Sequence, residues 1–315
     1  MSWRLWVLIL LPFLLVLALG SWVRLPGDSF LWAVLLLLTT VILVFGHYRY
    51  LGALRSAGTF SKALRHLWLW RLLLPSTAFH RLRIEMLLEA EDWDTAAREL
   101  AEAKSKCAVG QEEPIETAFL AGLEAEMLRR QGQFSQAGEI LEAAIVESHL
   151  PLVRAGLLAQ ATRCLLQQQE HSAQDRARAE AMLDEAEELF AKGPQKLLLG
   201  AVRGELALAQ AEYAPAATML EAQIQAWFEQ SGIPCKQPES PSWKQSLKQM
   251  VWGQKDEHQF PLWAELCASW ARACLAQHNT EQARHALHLG RFLCQQPYAL
   301  RMFARIEQQL SDARS

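Results

Sequence analysis

Apolar positions follow two regimes along this chain. From Leu5 to Val23 and from Phe30 to Gly46 almost every residue is apolar, with only Arg24 to Ser29 between the runs. Beyond residue 79 apolar residues recur at helical spacing among Ala, Glu, Gln and Arg. At about 1.5 Å per residue the two runs make helices of roughly 28 and 26 Å, close to the ~30 Å hydrocarbon core of a bilayer. The pattern therefore predicts a transmembrane hairpin over residues 1–47, with spans at about 5–23 and 30–46. A cleaved signal peptide is the alternative for the first run, since Arg4 precedes it and Ala18-Leu19-Gly20 offers small residues. The length of the run, Pro12 within it and the second run directly after it favour retention. Trp3, Trp6, Trp22 and Trp32 lie near the run ends, where indole rings prefer the headgroup level.

Charge orients the hairpin. Seven basic residues and no acid occupy His47 to Arg83, whereas the hairpin loop has Arg24 opposed by Asp28. The positive-inside rule places both the N-terminus and the C-terminal body in the cytoplasm. The net charge of -3 hides a division: residues 1–83 hold nine Lys and Arg against one acid, and the remainder 22 against 33. Arg49, Arg55, Lys62, Arg65 and Arg71 form a basic collar suited to anionic lipid headgroups, at about 1 kcal/mol per residue near the surface. The acidic body excludes nucleic acid as a partner, because phosphates require the opposite sign.

Residues 48–78 mix that collar with Leu51, Leu54, Phe60, Leu64, Trp68 and Trp70. Two compatible readings follow: a juxtamembrane helix on the bilayer surface, or the first packed helix of the body. Residues 79–315 read as all-α, with few β-branched clusters and no Asn-Gly or Asp-Gly turns. Their helices recur in pairs. Gly132-Gln133-Phe134-Ser135-Gln136-Ala137, followed by Leu141 and Ala144 and preceded by Ala125 and Leu128, shows the unit best. Asp92-Trp93-Asp94-Thr95-Ala96 with Leu100 and Ala103 repeats it, as does Glu212-Tyr213-Ala214-Pro215-Ala216 with Leu220 and Gly204.

These motifs resemble tetratricopeptide repeats. The resemblance implies that Trp93, Phe134 and Tyr213 pack between paired helices and that Ala96, Ala137 and Ala216 permit their close approach. Two units are degenerate: Ala179, Leu183 and Ala186 lack a turn aromatic, and Ala283 with Leu287 has Thr280 in its place. The anchoring alanines stand 41, 42, 37 and 67 residues apart, against about 34 in the family. Insertions are implied, and an irregular Ala-rich bundle is the alternative. The widest gap holds an insertion at about 231–261, rich in Pro and Gly, with Trp243 and Trp252 as candidate anchors and one short helix expected around them. The closing helix, Tyr298 to Ala313, has the polar side of a solubilising cap.

No catalytic, cofactor or metal signature stands out from this scaffold. Cys107, Cys164, Cys235, Cys267, Cys274 and Cys294 form no close redox or metal pair and read as reduced, mostly buried thiols. His278, His285, His288 and Cys294 have a hint of metal spacing, but Arg284 and Arg291 among them favour an exposed face. Acidic Asp184 to Glu188 reads as a solvated helix face, and Gly200 with Gly204 as a close helix contact.

Function is then expected from surfaces. The resemblance implies a concave groove made by the first helix of each pair, which binds a partner protein. Its candidate residues are Glu124, Arg129, Arg130, Arg154, Gln160, Arg163, Arg203 and Glu205. The Lys and Asn arrangement with which some family members clamp a terminal carboxylate is not recognisable. A two-span hairpin, basic collar and cytoplasmic repeat domain together resemble PelE-type proteins, inner-membrane components of bacterial Pel exopolysaccharide machinery. HemY-type proteins of haem metabolism share the arrangement and are the alternative, as is a modulator of a membrane enzyme. The expectation is a non-enzymatic scaffold of the bacterial inner membrane, whose partners are inner-membrane protein subunits.

Overall fold

The computed structural model describes residues 51, 54, 59–67, 71, 74, 76–110, 114–168, 172–190, 194–231, 260–294 and 296–312. The expected hairpin and its orientation, Arg49, Arg55, Trp68, Trp70, Cys235 and nearly all of the 231–261 insertion with Trp243 and Trp252 lie outside the described residues. No helix among the described residues is long and apolar enough to cross a membrane.

Twelve α-helices account for most of the described chain. They are α1 (Phe60–His66), α2 (Ser76–Glu89), α3 (Trp93–Gly110), α4 (Pro114–Arg130), α5 (Phe134–Glu147) and α6 (Pro151–Leu166), then α7 (Ala173–Leu189), α8 (Pro194–Ala209), α9 (Tyr213–Ser231), α10 (Phe260–Ala276), α11 (Thr280–Leu293) and α12 (Pro297–Asp312). Consecutive helices pack antiparallel, and α2/α3, α4/α5, α6/α7, α8/α9 and α10/α11 form five pairs. The first helix of each pair also packs on the first helix of the next, from α2 through α4, α6, α8 and α10 to α12. The result is a repeat-like helical array with the first helices on its inside. α1 packs on α2, where Leu51, Ala63, Leu67, Phe79 and Met86 make a small core.

Four of the five pairs share one turn. Glu91, Gly132, Ala211 and His278 have φ of 59°, 81°, 61° and 59°, the left-handed region. The following N–H groups, of Asp92, Gln133, Glu212 and Asn279, donate to the carbonyls of Leu87, Leu128, Ala207 and Cys274 at 2.9–3.0 Å. This closure satisfies carbonyls at the helix end that would otherwise lack partners. It also reverses the chain within two residues, which sets each second helix against its first. The third pair differs: Ser172 caps α7 instead, its Oγ accepting from the Asp175 N–H at 3.0 Å while the Asp175 carboxylate accepts from the Ser172 N–H.

Small residues set the spacing. Ala96, Ala137, Ala179, Ala216 and Ala283 are fully buried, and Leu100, Leu141, Leu183, Leu220 and Leu287 lie four residues further along each second helix in the same core. A Cβ added to Gly204 would lie 2.7 Å from Leu220 Cγ, so α8 and α9 meet there without room for a methyl group. The separation of 67 residues between the last two alanines does not interrupt the array, because α9 packs directly on α10 and Trp227 stacks on Trp263 with centroids 4.9 Å apart. α12 closes the array with Ala299, Phe303, Ile306 and Leu310 inward. Its Arg301 reaches Glu91, in the first turn of the array, with two hydrogen bonds of 2.9 and 2.5 Å. The array therefore curls far enough that its last helix touches its first pair.

Candidate functional site

The curl brings charged residues of the first helices together on the inside. Arg129 and Arg130 come from the last turn of α4, Arg163 from the last turn of α6, Glu205 from α8 and Glu265 from α10. Arg129 places Nε and Nη2 on the two oxygens of Glu126, each at 2.8 Å, and Nη2 also donates to Glu265 at 2.9 Å. Arg163 donates through Nε to Glu205 at 2.7 Å and through Nη2 to the second oxygen of Glu265 at 2.9 Å. Glu265 thus links two guanidinium groups from different pairs. Arg130 Nε bonds Glu126 at 2.6 Å, the Ser269 hydroxyl donates to Glu205 at 2.8 Å, and Arg129 Nη1 donates to the side-chain Oε1 of Gln167 at 2.9 Å.

Three arginines face three glutamates, so the cluster is neutral. Neutrality matters because Arg129, Arg163, Glu205 and Glu265 are all buried, and an unmatched charge there would lose its hydration without compensation. Burial pushes the carboxyls of Glu126 and Glu265 up. The adjacent guanidiniums outweigh that effect: Arg129 and Arg130 hold Glu126, and Arg129 and Arg163 hold Glu265, below the usual carboxylate range. A cavity of about 20 Å³ beside Glu126, Arg129, Gln160 and Arg163 has room for roughly one water.

The eight expected groove residues divide accordingly. Arg129, Arg130, Arg163 and Glu205 belong to this network, so the inner face at their level is filled by the protein's own side chains and does not present them to a groove. The cause is the curl, which carries α10 across to α4. Glu124 pairs with Lys104, Arg154 with Glu185 at 2.6 Å, and Arg203 with Asp184 and Glu187 at 2.7 and 2.9 Å. Gln160 remains exposed. Among the residues expected to pack the repeats, Trp93 and Phe134 are half-buried, whereas Tyr213 is 40 % exposed. Gly204, Ala216 and Ala217 already fill the α8/α9 contact with small groups, and Tyr213 opens α9 facing outward. Of the basic collar, Lys62, Arg65 and Arg71 are exposed.

Sequence reasoning did not single out Glu126, Glu265 or Ser269. A second polar cluster was also missed, between α2 and α3. Buried His80 bonds Glu99 through Nδ1 at 2.9 Å, Lys106 Nζ meets its Nε2 at 2.8 Å, and Arg83 pairs with Glu99 at 2.8 Å. Both ring nitrogens of His80 are thus partnered within the protein. The histidines of α11 are exposed, and Cys294 is buried away from them. Among the described residues no group of three or more His, Cys, Asp or Glu is placed to hold a metal ion. Burial pushes the thiols of Cys164, Cys274 and Cys294 up to about 11, which keeps them protonated and unreactive at neutral pH.

No family model matches the chain, and no curated protein is significantly similar to it. The structure thus describes a repeat-like all-α array whose inner charges are spent on one another.

Proposed function

We propose that this protein is a non-enzymatic scaffold, tethered to a bacterial inner membrane by the apolar hairpin, whose tetratricopeptide-like array engages another membrane subunit. The neutral inner network supports this reading. A general acid or base would hold a pKa near the working pH, whereas Glu126 and Glu265 are displaced below the carboxylate range and their arginines are fully engaged. The conspicuous buried charges therefore serve the shape of the array. Recognition is left to the surfaces outside the network, where Glu124, Arg154, Gln160 and Arg203 lie. Tethering raises the effective concentration of a partner in the same membrane, so a modest surface affinity suffices. The arrangement of hairpin, collar and array favours an exopolysaccharide assembly of the Pel type.

The test is extraction of tagged full-length protein in mild detergent, beside a version lacking residues 1–46, with mass spectrometry of the proteins that co-purify. The proposal expects the same one or two inner-membrane proteins with both versions. Partners with the full-length form alone would assign recognition to the hairpin. A bound pigment without a protein partner would overturn the scaffold reading in favour of haem metabolism.

A further inference from the structure

Six large apolar side chains are exposed among the described residues; all but Tyr213 lie towards the end of the array at which first helices begin and second helices finish, Phe292 in the last turn of α11 and the other four in α4 to α6. Val146 is in the last turn of α5, Leu150 in the α5–α6 turn, Leu152 in the first turn of α6 and Phe119 in the second turn of α4. Because consecutive helices are antiparallel, this is the end at which α2, α4 and α6 begin and at which α1 hands over to α2. Val146 is 76 % and Leu152 64 % exposed, values at which a β-branched or leucine side chain gains nothing from the fold itself.

The length of the chain leading into the array bounds how far it stands from the proposed membrane. The second apolar run ends at Gly46, and Leu51 is already buried against α1 and α2. Five residues reach at most about 18 Å when fully extended. The headgroup layer occupies roughly 6 Å of that. A domain on so short a leash rests close to the bilayer on one of its faces. We infer that it rests on the α2, α4 and α6 starts, with Val146, Leu150 and Leu152 entering the headgroup layer as a docking loop. Lys62 and Arg65 are exposed on α1, the helix that precedes α2, and exposed Glu147 with His149 between the apolar residues would hold the loop at headgroup depth. This inference rests on the membrane-tether reading above and adds the orientation in which the array is presented to a partner.

The experiment uses full-length protein with Cys235→Ser, since the other five cysteines are buried. Val146→Cys, Leu152→Cys and, on the exposed α4–α5 turn at the opposite end, Gln133→Cys each receive an environment-sensitive fluorophore. The variants are reconstituted into phosphatidylethanolamine–phosphatidylglycerol vesicles with and without nitroxide-bearing lipid, and aqueous iodide is added separately. Labels at 146 and 152 are expected to be quenched at least twofold more by the nitroxide lipid than the label at 133, and to be protected from iodide. Equal exposure of all three to iodide would overturn the inference. So would protection of 146 and 152 from both quenchers, which would mean that another part of this chain or a second copy covers the loop. Flotation with the vesicles separates the two levels of the argument: protein that floats but fails the quenching test retains its tether and loses this orientation, whereas protein that does not float overturns both.

Discussion

Replacing Glu265 by Gln removes one negative charge from the centre of the array while keeping the side chain's volume. Arg129 and Arg163 each lose an ionic partner at 2.9 Å, and the network passes from neutral to one excess positive charge. Both arginines are buried, and the adjoining cavity has room for about one water, which does not restore the lost charge. Removing one member of a buried pair costs roughly 3–5 kcal/mol. For a domain of this size each kcal/mol shifts Tm by about 2–4 °C, so a fall of about 6–20 °C is expected. The same change at Glu307, whose pair with Arg291 is exposed on both sides, should cost at most about 1 kcal/mol. Charge balance provides a sharper test. Glu265→Met leaves three arginines against two glutamates; adding Arg129→Met restores two against two. The double variant should be more stable than Glu265→Met alone by about 1–2 kcal/mol, since a matched buried set can be exchanged for apolar packing with little loss. Urea unfolding of the detergent-solubilised full chain, followed by circular dichroism, measures the unsubstituted protein and these variants, together with Arg129→Met alone. Simple additivity, with the double variant weaker than either single one, would refute the reasoning.

Glycine and turn positions give further expectations. Gly204→Ala and Gly290→Ala would place a Cβ 2.7 Å from Leu220 Cγ and 2.6 Å from Phe303 Cζ, and each should lower stability by about 1–3 kcal/mol in the same unfolding assay. Ala211→Gly relieves a left-handed residue and should stabilise by about 0.5–1 kcal/mol, while Gly132→Ala should destabilise by about 1 kcal/mol. Glu126 and Glu265 are lowered in the folded state, so their contribution is complete above the unfolded carboxylate value of about 4.3 and is lost only as pH falls below it. Tm should be insensitive to these groups between pH 6 and 8 and fall in acid, with a shallower acid slope in Glu265→Gln. The five described cysteines should react with a thiol reagent only as the protein unfolds, on the unfolding timescale rather than the reagent's.

The features legible in the sequence are those that depend on near neighbours. Ala137 and Leu141 stand four apart on one face of α5, and the same offset at Ala96, Ala179, Ala216 and Ala283 marked each second helix without reference to the rest of the chain. Gly204 was legible for a similar reason: a glycine within a helical run has few uses besides close packing. Pro114, Pro151, Pro194 and Pro297, each opening a helix, carried a start signal that went unread. The inner network was not legible, because it depends on the curl. Glu265 meets Arg129 across 136 residues, and nothing local to either identifies the other. Arg129-Arg130-Gln131 ahead of Gly132 has the composition of an exposed helix end, although Arg129 is buried. Gly290 escaped notice for the same reason, since its neighbour Phe303 belongs to the next helix.

The array closes on itself and leaves its inner charges to one another. Closure brings Glu91, in the turn of the first pair, against Arg301 on the last helix, 210 residues away. Glu91→Cys with Arg301→Cys, in full-length protein that also has Cys235→Ser, can be treated with a short bis-maleimide and examined by mass spectrometry. A closed array should give an efficient intramolecular cross-link under native conditions that disappears in urea. Native protein that labels at both positions without cross-linking would contradict it, because an open superhelix holds these two residues far apart.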